Sequence, residues 1–452
     1  MNRAKPPPRL KVSEWADRFR QLSPEASAEP GQWSTDRVPF MRGVMDAVND
    51  TVNDLIVFKK SAQVGATETV INIIGYFVDQ DPAPMLIVQP TERMGEAFSR
   101  DRIAPAVRDS ASLRRKIAPA GTNGNTILHK KFPGGHLTIA GANSPASLAS
   151  RPVRVCLLDE CDRFPTSAGS EGDPTELAFA RTKAFFNARK FMCSTPTLEG
   201  ASRIDAAYQE SDQRLYLVPC PHCDERFRLM WELVKWDTDD EGQPSPDVWV
   251  ACPNCGGVIE EKHKPRMLAL GEWTATKPFN GTAGFHISEL YSPFRTWRQI
   301  RNAFLKAKQS PDRLRTWVNT ALGETWSEDE ETIDVNALAH RREPYTQPPA
   351  GALVLVAGID VQDDRFEVEV LAVGDGLETW GVDYRILSGD PGKPELWRRL
   401  ADMLAETWQR DDGVDLHIAA AGIDSGGHYT SQVYAFAKRN PGRVFALKGM
   451  AG

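Results

Sequence analysis

The sequence predicts a mixed α/β protein with two sheet domains and a small cysteine-rich module. Residues 41–215 alternate apolar strands with helical patterns, which is typical of a parallel sheet that carries helices on both faces. Four cysteines stand in two CxxC pairs, and a second series of apolar strands begins at about residue 351. The predicted order is an N-terminal partner-binding segment (1–40), the parallel-sheet domain (41–215), the cysteine module (216–262), a helical connector and linker (263–350), and the second sheet domain (351–452).

Length and composition are those of an ordinary chain of several domains. The chain has 452 residues, of which 41% are hydrophobic and 25% are charged, and at ~150 residues per domain we expect two to four domains. The net charge of −7 argues against a generally basic DNA-coating protein, although a local basic lining could still grip DNA. No run reaches the ~18 apolar residues of a membrane helix, and the N-terminus lacks the apolar core of a secretory signal. We therefore expect a cytoplasmic protein without a membrane partner.

The N-terminal segment contains one amphipathic stretch, Val12–Leu22. Trp15, Phe19 and Leu22 fall on one face of a predicted helix. That face either packs on the domain behind it or binds a partner, and the sequence leaves both alternatives open.

Two adjacent acids, Asp159 and Glu160, end the apolar run Val153–Leu158. A buried strand would deliver both carboxylates to the sheet edge where the magnesium ion of a bound ATP would lie. In a phosphate-loop motor the first acid holds the metal through water, and the second polarises the attacking water. We therefore predict that Asp159 is a magnesium ligand and that Glu160 is catalytic, although the pattern alone is weak because many strands end in an acid by chance.

A divergent phosphate loop precedes these two acids in the sequence, at about the spacing that separates the two motifs in an ATPase core. The standard pattern is GxxxxGK[ST], and here Gly65 and Thr67 are in place, whereas Ala66 holds the lysine position and Lys60 holds that of the first glycine. The loop still follows a strand and precedes an apolar helical run, so its amides and the helix N-terminus could bind phosphates. Lys60 would supply the missing charge, with Lys59 as the neighbouring alternative, and Thr67 would ligate magnesium. The predicted nucleotide-binding residues of the loop are Lys60, Ser61, Ala62, Gln63, Val64, Gly65, Ala66 and Thr67. A strand–turn–helix without a ligand is the alternative.

Two further segments follow predicted strands. Ser194–Thr197 lies about 35 residues beyond Asp159, where small hydroxyl residues such as Thr195 can sense the γ-phosphate and report its loss. Val88–Thr91 lies where helicase-like motors contact nucleic acid.

The cysteines divide into two kinds. Two CxxC turns would present four thiolates to one closed tetrahedral zinc site that stabilises a module too small for its own core, with ligands Cys220, Cys223, Cys252 and Cys255. His222 lies inside the first turn and is expected to be a spacer. Cys156, Cys161 and Cys193 lie in or beside apolar strands and are expected to be buried core thiols.

The second sheet domain shows three strands, a helix, a strand, a helix and a strand, which is the order of an RNase H-like fold. Asp360 ends the first strand and Asp424 ends the fourth. These ends lie side by side in such a sheet, so the two carboxylates could share metal ions that activate water and stabilise the leaving oxygen of a phosphodiester. Small neighbours leave room for a DNA backbone: Gly358, Gly422, Gly426 and Gly427. Glu367 and Glu369 are expected to lie on a solvated sheet face, and each lone aspartate could instead be a strand-end turn residue.

The order of these motifs resembles the large terminase subunit of lambda-like tailed phages and prophages. The segments that carry the resemblance are KSAQVGAT, VQPTERMGEAFSRDRIAP, NSPASLASRPVRVCLLDECDRFP, STPT, CPHC, CPNCG, AGIDVQDDRFEVEV and AGIDSGG, and they span about residues 35–452. The resemblance implies an ATP-driven motor that packages double-stranded DNA into an empty capsid, and a magnesium- or manganese-dependent endonuclease that cuts the concatemer. It also implies that the motif lysine is Lys60, and that the partners are a small terminase subunit and the capsid portal, on which copies of the chain would assemble in the host cytoplasm. Nucleases of this group need a third acid further on, so we expect a family member that is cut short at its C-terminus and whose nuclease is incomplete.

Two other functions remain open at this stage. The divergent loop and the acidic charge also fit a zinc-stabilised DNA-binding or scaffold protein with an inactive ATPase-like domain. A helicase-like repair ATPase is the third hypothesis, and the RNase H-like strand order argues against it.

Overall fold

The computed structural model describes residues 10–25, 27–122, 124–149, 151–239, 244–327, 345–426 and 429–449. The chain divides into two compact units, one within 1–329 and one within 330–452. The start of the predicted partner-binding segment, the first part of the predicted linker with Pro344, and Gly427 lie outside the described residues.

The first unit is built on a ten-stranded sheet. Its strands, with those of two smaller sheets, are β1 (Gln21–Leu22), β2 (Gly31–Gln32), β3 (Leu55–Lys60), β4 (Pro84–Gln89), β5 (His129–Phe132), β6 (Gly135–Gly141), β7 (Val155–Asp159), β8 (Arg189–Ser194), β9 (Arg214–Pro219), β10 (Arg226–Arg228), β11 (Val234–Lys235), β12 (Trp249–Ala251), β13 (Val258–Glu260), β14 (Glu272–Thr274) and β15 (Thr282–Ile287). The large sheet has the order β10-β9-β15-β3-β8-β7-β4-β6-β5, and β14 pairs with β9. The five strands predicted from the sequence at 54–58, 85–89, 136–140, 153–158 and 190–194 are confirmed as β3, β4, β6, β7 and β8, with ends shifted by at most two residues.

The prediction of a parallel sheet is confirmed for the centre of this sheet but not for its margins. The strands from β9 through β15, β3, β8, β7 and β4 to β6 run parallel, whereas β5, β10 and β14 pair antiparallel. Alternate residues of β3 enter different apolar clusters, since Ile56 and Phe58 belong to one cluster and Val57 to another. Both faces are therefore covered, as parallel sheets require.

Helices and short connections surround the sheet. They are α1 (Val12–Phe19), α2 (Met41–Asp46), α3 (Ala66–Asp79), α4 (Glu92–Phe98), α5 (Ala104–Asp109), α6 (Ala111–Arg114), α7 (Pro145–Ala149), α8 (Pro174–Ala180), α9 (Arg203–Gln209), α10 (Lys264–Ala269), α11 (Trp297–Ala307) and α12 (Pro311–Trp317). Among the described residues, no helix combines the length and the apolar character needed to cross a membrane.

The amphipathic N-terminal stretch packs on the domain behind it. Trp15 is fully buried against α3, where a side chain at Gly75 would collide with its ring, and the indole N–H donates to Asp79 at 2.9 Å. The sequence prediction makes this helix too long, because the observed helix α1 ends at Phe19 and Leu22 lies in strand β1. The backbone leaves the helix at Arg20, whose φ and ψ are extended.

The two CxxC turns close two hairpins. The first lies between β9 and β10, and the second lies between β12 and β13. Because β9 also pairs with β15, the cysteine module is continuous with the large sheet. Cys220, Phe227, Val250 and Cys252 belong to the main apolar cluster of the first unit, so the module shares that core.

The second unit contains a six-stranded sheet. Its elements are β16 (Val354–Val361), β17 (Arg365–Val373), β18 (Thr379–Ser388), α13 (Pro394–Leu404), β19 (Thr407–Gln409), β20 (Asp415–Asp424), α14 (Thr430–Arg439) and β21 (Val444–Leu447). The order is β18-β17-β16-β20, with β19 and β21 both paired to β20. β16 is antiparallel to β17 and parallel to β20, so the predicted RNase H-like order is confirmed.

One element of this unit differs from the sequence prediction. The sequence pattern predicts that the helix of this unit covers residues 395–409, but the helix ends at Leu404, and Thr407–Gln409 forms a strand antiparallel to the start of β20. Leu400, Met403 and Leu404 of α13 are buried in the core, so the apolar face ends there. Residues 407–409 pair instead with the backbone of β20, and this pairing cannot be read from the local sequence.

Candidate functional site

Four neighbouring parallel strands, β3, β8, β7 and β4, end at one edge of the large sheet. Their ends bring together Lys60 from β3, Ser194 from β8, Asp159 from β7 and Gln89 from β4. Parallel α/β sheets bind ligands at the carboxyl ends of their strands, so this edge is the candidate site.

A cavity of about 390 Å³ lies at this edge between the predicted phosphate loop and the acidic strand end. Its walls are Lys60, Ala62, Gln63, Val64, Gly65, Ala66, Thr67, Glu68, Arg102, Glu160, Arg163, Thr195 and Thr320. Of the predicted nucleotide-binding residues, only Ser61 and Asp159 are not part of the lining, and both are buried beside it.

The loop has the backbone of an anion-binding turn. Gly65, with φ +94°, and Gln63, with φ +58°, are in the left-handed region, and Gly65 caps the start of α3. The first-turn amides of α3 have no partner within the helix, and the helix dipole favours an anion there. The amides of Ser61 and Ala62 already donate to the carbonyls of Ile287 and Thr320, at 2.9 and 2.7 Å. The amides available to phosphate are therefore those from Gln63 onward.

Lys60 and Lys59 point to opposite faces of β3. Lys60 Nζ lies 2.5 Å from Glu160 Oε1 at the cavity, and Lys59 Nζ lies 2.5 Å from Asp205 Oδ1 in a separate cavity. Alternation along the strand separates the two ammonium groups. Lys60 is thus the lysine that the structure places beside the loop.

Glu160 adopts a backbone conformation that non-glycine residues seldom take, with φ +53° and ψ +49°. Its side chain accepts a hydrogen bond from Thr195 Oγ1 at 3.3 Å and lies 3.7 Å from Arg163 Nε. Burial raises the pKa of Glu160, but the charges of Lys60 and Arg163 outweigh it and hold the pKa below its usual value. Glu160 is therefore an ionised carboxylate that faces the cavity.

Asp159 is held from both sides inside the sheet. Gln89 Nε2 donates to Oδ2 at 2.9 Å and the thiol of Cys193 donates to Oδ1 at 3.3 Å. Burial raises the pKa of Asp159, and the hydrogen bond from Gln89 opposes that rise. The sequence did not single out Gln89 as a partner of this carboxylate. Its position after an apolar strand was the signal that could have found it.

The burial of Val88–Pro90 corrects the expectation that this segment contacts nucleic acid. Val88, Gln89 and Pro90 are buried, and Thr91 caps α4 by accepting from the amide of Met94 at 3.2 Å. Buried side chains cannot reach nucleic acid, so the predicted contact is wrong for Val88–Pro90.

The expectation of buried thiols is confirmed for Cys156, Cys161 and Cys193.

The segment Ser194–Thr197 contacts Glu160, Asp162 and the connector. Thr195 donates to Glu160, and Thr197 Oγ1 donates to Asp162 at 3.0 Å. The carbonyl of Thr197 accepts from Asn319 Nδ2 and from the amide of Trp326, both at 2.9 Å. The segment is therefore bonded to residues near the end of the first unit.

A second cavity of about 820 Å³ adjoins the phosphate loop and was not anticipated from the sequence. Gln63, Gly65, Glu68 and Arg102 line both cavities. The remaining wall is largely the N-terminal segment with residues beyond β15, including Trp33, Arg37, Val38, Glu289, Phe294 and Arg295. Eleven of its eighteen lining residues come from the segment 22–38, which precedes the loop in the sequence.

The four predicted metal-binding cysteines converge. The sulfur atoms of Cys220, Cys223, Cys252 and Cys255 lie within 4.8 Å of one another, and two of the pairs are 3.9 Å apart. A tetrahedron with Zn–S bonds of about 2.3 Å separates its sulfurs by about 3.8 Å, so the group fits a zinc ion. His222 Nε2 lies 2.9 Å from the carbonyl of Val258, consistent with its predicted role as a spacer.

Asp360 and Asp424 lie at neighbouring strand ends of the second unit. Ile359 pairs with Ile423 in the parallel ladder, so the next residue of each strand is one of the two aspartates. Asp360 is opposite Glu367, whose carboxylate accepts from Arg365 Nε at 2.8 Å and from Tyr384 Oη at 2.5 Å. Glu367 is thus paired with protein groups, whereas Glu369 is exposed as expected.

The type of donor atom indicates which metal each candidate site would bind. The hydroxyl of Thr67 and the carboxylate of Asp159 are hard oxygen donors beside the phosphate loop, and such donors suit Mg²⁺. The carboxylates of Asp360 and Asp424 suit Mg²⁺ or Mn²⁺. The four thiols suit zinc.

Two family models and two relatives match most of this chain. The family model for the ATPase domain of phage terminase large subunit gpA matches residues 27–273, and that for its endonuclease domain matches residues 282–452. The chain is 31% identical to the large terminase subunit of Escherichia phage lambda over 98% of this chain and 73% of that protein. It is 30% identical to that of Enterobacteria phage P21 over 97% of this chain and 72% of that protein. The crystal structure of the HK97 bacteriophage large terminase aligns with 98% of this chain and 85% of that chain, at a TM-score of 0.45 and 13% identity.

Proposed function

We propose that this chain, which belongs to the family of phage terminase large subunits with their ATPase and endonuclease domains, uses ATP to drive double-stranded DNA into a procapsid and cuts the concatemer. The observation that carries the motor function is the convergence of Lys60, Glu160 and Thr195 on the cavity beside the phosphate loop. Lys60 ends β3, Glu160 follows β7 and Thr195 follows β8, so three strands contribute to the cavity.

In the proposed ATP site, the phosphates occupy the smaller cavity. Lys60 and the amides from Gln63 to Thr67 bind them, and Thr67 and Asp159 hold the magnesium ion. That ion would neutralise charge on the β- and γ-phosphates. The nucleoside extends into the larger cavity, because Gln63 and Glu68 border both spaces.

Glu160 is the proposed general base. Its ionised carboxylate pairs with Lys60 at 2.5 Å, so incoming phosphates compete with Glu160 for the same ammonium group. A Glu160 carboxylate released by that competition can accept a hydrogen bond from water and orient it. Thr195 contacts Glu160 directly and is the proposed sensor of the γ-phosphate.

Asp360 and Asp424 are the proposed metal-binding acids of the endonuclease. Magnesium or manganese bound there would activate water for attack on a phosphodiester. The support is the register of β16 and β20, which places the two aspartates at adjacent strand ends.

The cysteine module is proposed to hold one structural zinc ion on Cys220, Cys223, Cys252 and Cys255. A closed four-cysteine site has no open position for catalysis. Its proposed role is to fix the turns of two hairpins at the margin of the large sheet.

The proposed partners are double-stranded DNA, a small terminase subunit and the capsid portal, with several copies of the chain assembled on the portal in the host cytoplasm. The domain division at residues 40, 215, 262 and 350 also stays a proposal. The support for the partners is membership in the family to which the lambda and P21 large subunits belong.

ATP turnover with and without double-stranded DNA tests the motor function. We expect DNA-stimulated turnover in the parent chain and in the control Lys262→Ala, whose lysine is exposed and pairs with Glu260 at 2.8 Å. Lys60→Ala should lose turnover. Parental turnover in Lys60→Ala would contradict the assignment, and DNA binding without any turnover in the parent would favour the scaffold alternative.

A further inference from the structure

We propose that Gln89 is a positioning residue for the magnesium-binding carboxylate of Asp159, and that Cys193 holds the same carboxylate from the opposite side. The inference rests on the proposed function, because it takes Asp159 as the magnesium aspartate of the ATPase. It goes beyond that function by assigning a role to two side chains outside the phosphate loop and the acidic strand end.

The register of three strands places these groups in one row. Val88 pairs with Leu158, so Gln89 follows alongside Asp159, and Cys193 pairs directly with Asp159 on the other side. The two contacts use different carboxylate oxygens, Oδ2 for Gln89 and Oδ1 for Cys193, at 2.9 and 3.3 Å. Asp159 is thus clamped between β4 and β8.

The clamp fixes the plane of the carboxylate. A carboxylate has about four lone-pair positions, so one donor on each oxygen leaves one position on each for the metal shell. Hydrogen bonds to a charged group are roughly twice as strong as neutral ones, and Asp159 is only 5% exposed, so water does not replace a lost donor. The clamp therefore restricts rotation of the carboxylate about its χ2 bond.

The chemistry of the two donors suits this role. A lysine at position 89 would bring a positive charge that opposes the cation, and a glutamate would bring a second negative charge against Asp159. An amide and a thiol donate without either effect. The side chain of Gln89 is only 4% exposed, so contact with nucleic acid does not explain its presence here.

The test measures binding of a fluorescent ATP analogue to the full chain as the magnesium concentration is varied, with a parallel titration in EDTA. Gln89→Met keeps the side-chain length and removes the donor. Loss of an outer-shell partner typically costs about 10–100-fold in metal affinity, so we expect the half-saturating magnesium concentration to rise about tenfold. Affinity for the nucleotide in EDTA should not change. Gln80→Met is the matched control, because Gln80 caps the far end of α3.

Two further comparisons separate the possible failures. Asp159→Asn should shift the magnesium dependence; if it does not, the proposed metal assignment fails. If Asp159→Asn shifts it and Gln89→Met does not, only the present inference fails. Equal loss of nucleotide affinity with magnesium and in EDTA would also overturn it.

Variants of Cys193 give an independent arm in case Gln89→Met does not fold, as judged by thermal melting. Cys193→Ala removes the second donor and should raise the magnesium requirement. Cys193→Ser restores a donor and should return it to the parental value. An unchanged requirement in Cys193→Ala would overturn the clamp.

Discussion

The ammonium group of Lys60 lies 2.5 Å from the carboxylate of Glu160, although 100 residues separate them in the sequence. This ion pair joins the start of the phosphate loop to the end of the acidic strand. Burial lowers the pKa of Lys60, but the charge and hydrogen bond of Glu160, with the charge of Asp159 and the influence of Cys193, together outweigh it and keep the pKa above its usual value, so Lys60 and Glu160 are both ionised at neutral pH. In the proposed mechanism the pair connects phosphate binding with activation of water, because phosphates that bind Lys60 would release the carboxylate of Glu160.

Glu160→Gln should bind ATP and fail to hydrolyse it. The amide keeps the shape of the side chain but cannot accept a proton, and general bases contribute about 10²–10⁴-fold to rate. We therefore expect turnover to fall by at least about 100-fold, with ATP retained in a filter-binding assay. Loss of ATP binding would instead indicate a metal-binding or structural role for Glu160.

The same pair predicts a pH dependence of stability. The pKa of Glu160 is lowered in the fold, so its ionised form contributes stability above the ordinary glutamate pKa of about 4.3, and the contribution is lost as pH falls through the folded pKa. The parent should therefore lose more stability than Glu160→Gln between neutral pH and about pH 3. Urea unfolding of both proteins measures this difference. Parallel curves would show that the ion pair contributes no net stability.

Lys59→Met should keep ATP hydrolysis but unfold more easily. Lys59 pairs with Asp205 away from the phosphate cavity, and both side chains are largely buried. Removing one partner of a buried pair leaves an uncompensated charge and costs about 3 kcal/mol. Turnover and the free energy of unfolding are measured on the same preparation. A variant that is stable but inactive would make Lys59 the phosphate-binding lysine.

Elemental analysis should find about one zinc ion per chain, since the four sulfurs form one closed group. Cys252→Ser should lose most of the metal and lower the melting temperature. Cys156→Ala removes a buried thiol outside the group and should keep its zinc. A well-folded parent without metal would contradict the zinc assignment.

Asp360→Asn and Asp424→Asn should each weaken Mn²⁺ binding to the second unit, because adjacent strand ends supply both carboxylates. Titration calorimetry on the full chain measures binding, and nicking of plasmid DNA in manganese measures cleavage. Glu369→Gln, an exposed carboxylate on β17, serves as the control. Manganese binding and cleavage that survive both aspartate substitutions would exclude this site.

The local elements of this protein follow from its sequence to within a few residues. Short continuous apolar runs bounded by polar residues indicate β3, β7 and β8, and the two CxxC spacings single out the four cysteines whose sulfur atoms converge. The alternating strand pattern of the second unit also predicts its RNase H-like order. Such signals lie within a short stretch of sequence, so they can be recognised without knowing which elements pack against that stretch. The failures occur where tertiary contacts decide, as at Thr407–Gln409, which pairs with β20 instead of extending α13.

Only the tertiary structure decided which side chains share a site. Both Lys59 and Lys60 are plausible phosphate ligands in the sequence, and only the structure shows that Lys60 lies beside Glu160 whereas Lys59 lies beside Asp205. Gln89 lies 70 residues from Asp159 and becomes its partner because β4 and β7 are neighbours in register. The physical reason is that a strand's periodicity tells which residues share a face, whereas the order and register of strands tell which faces and ends meet.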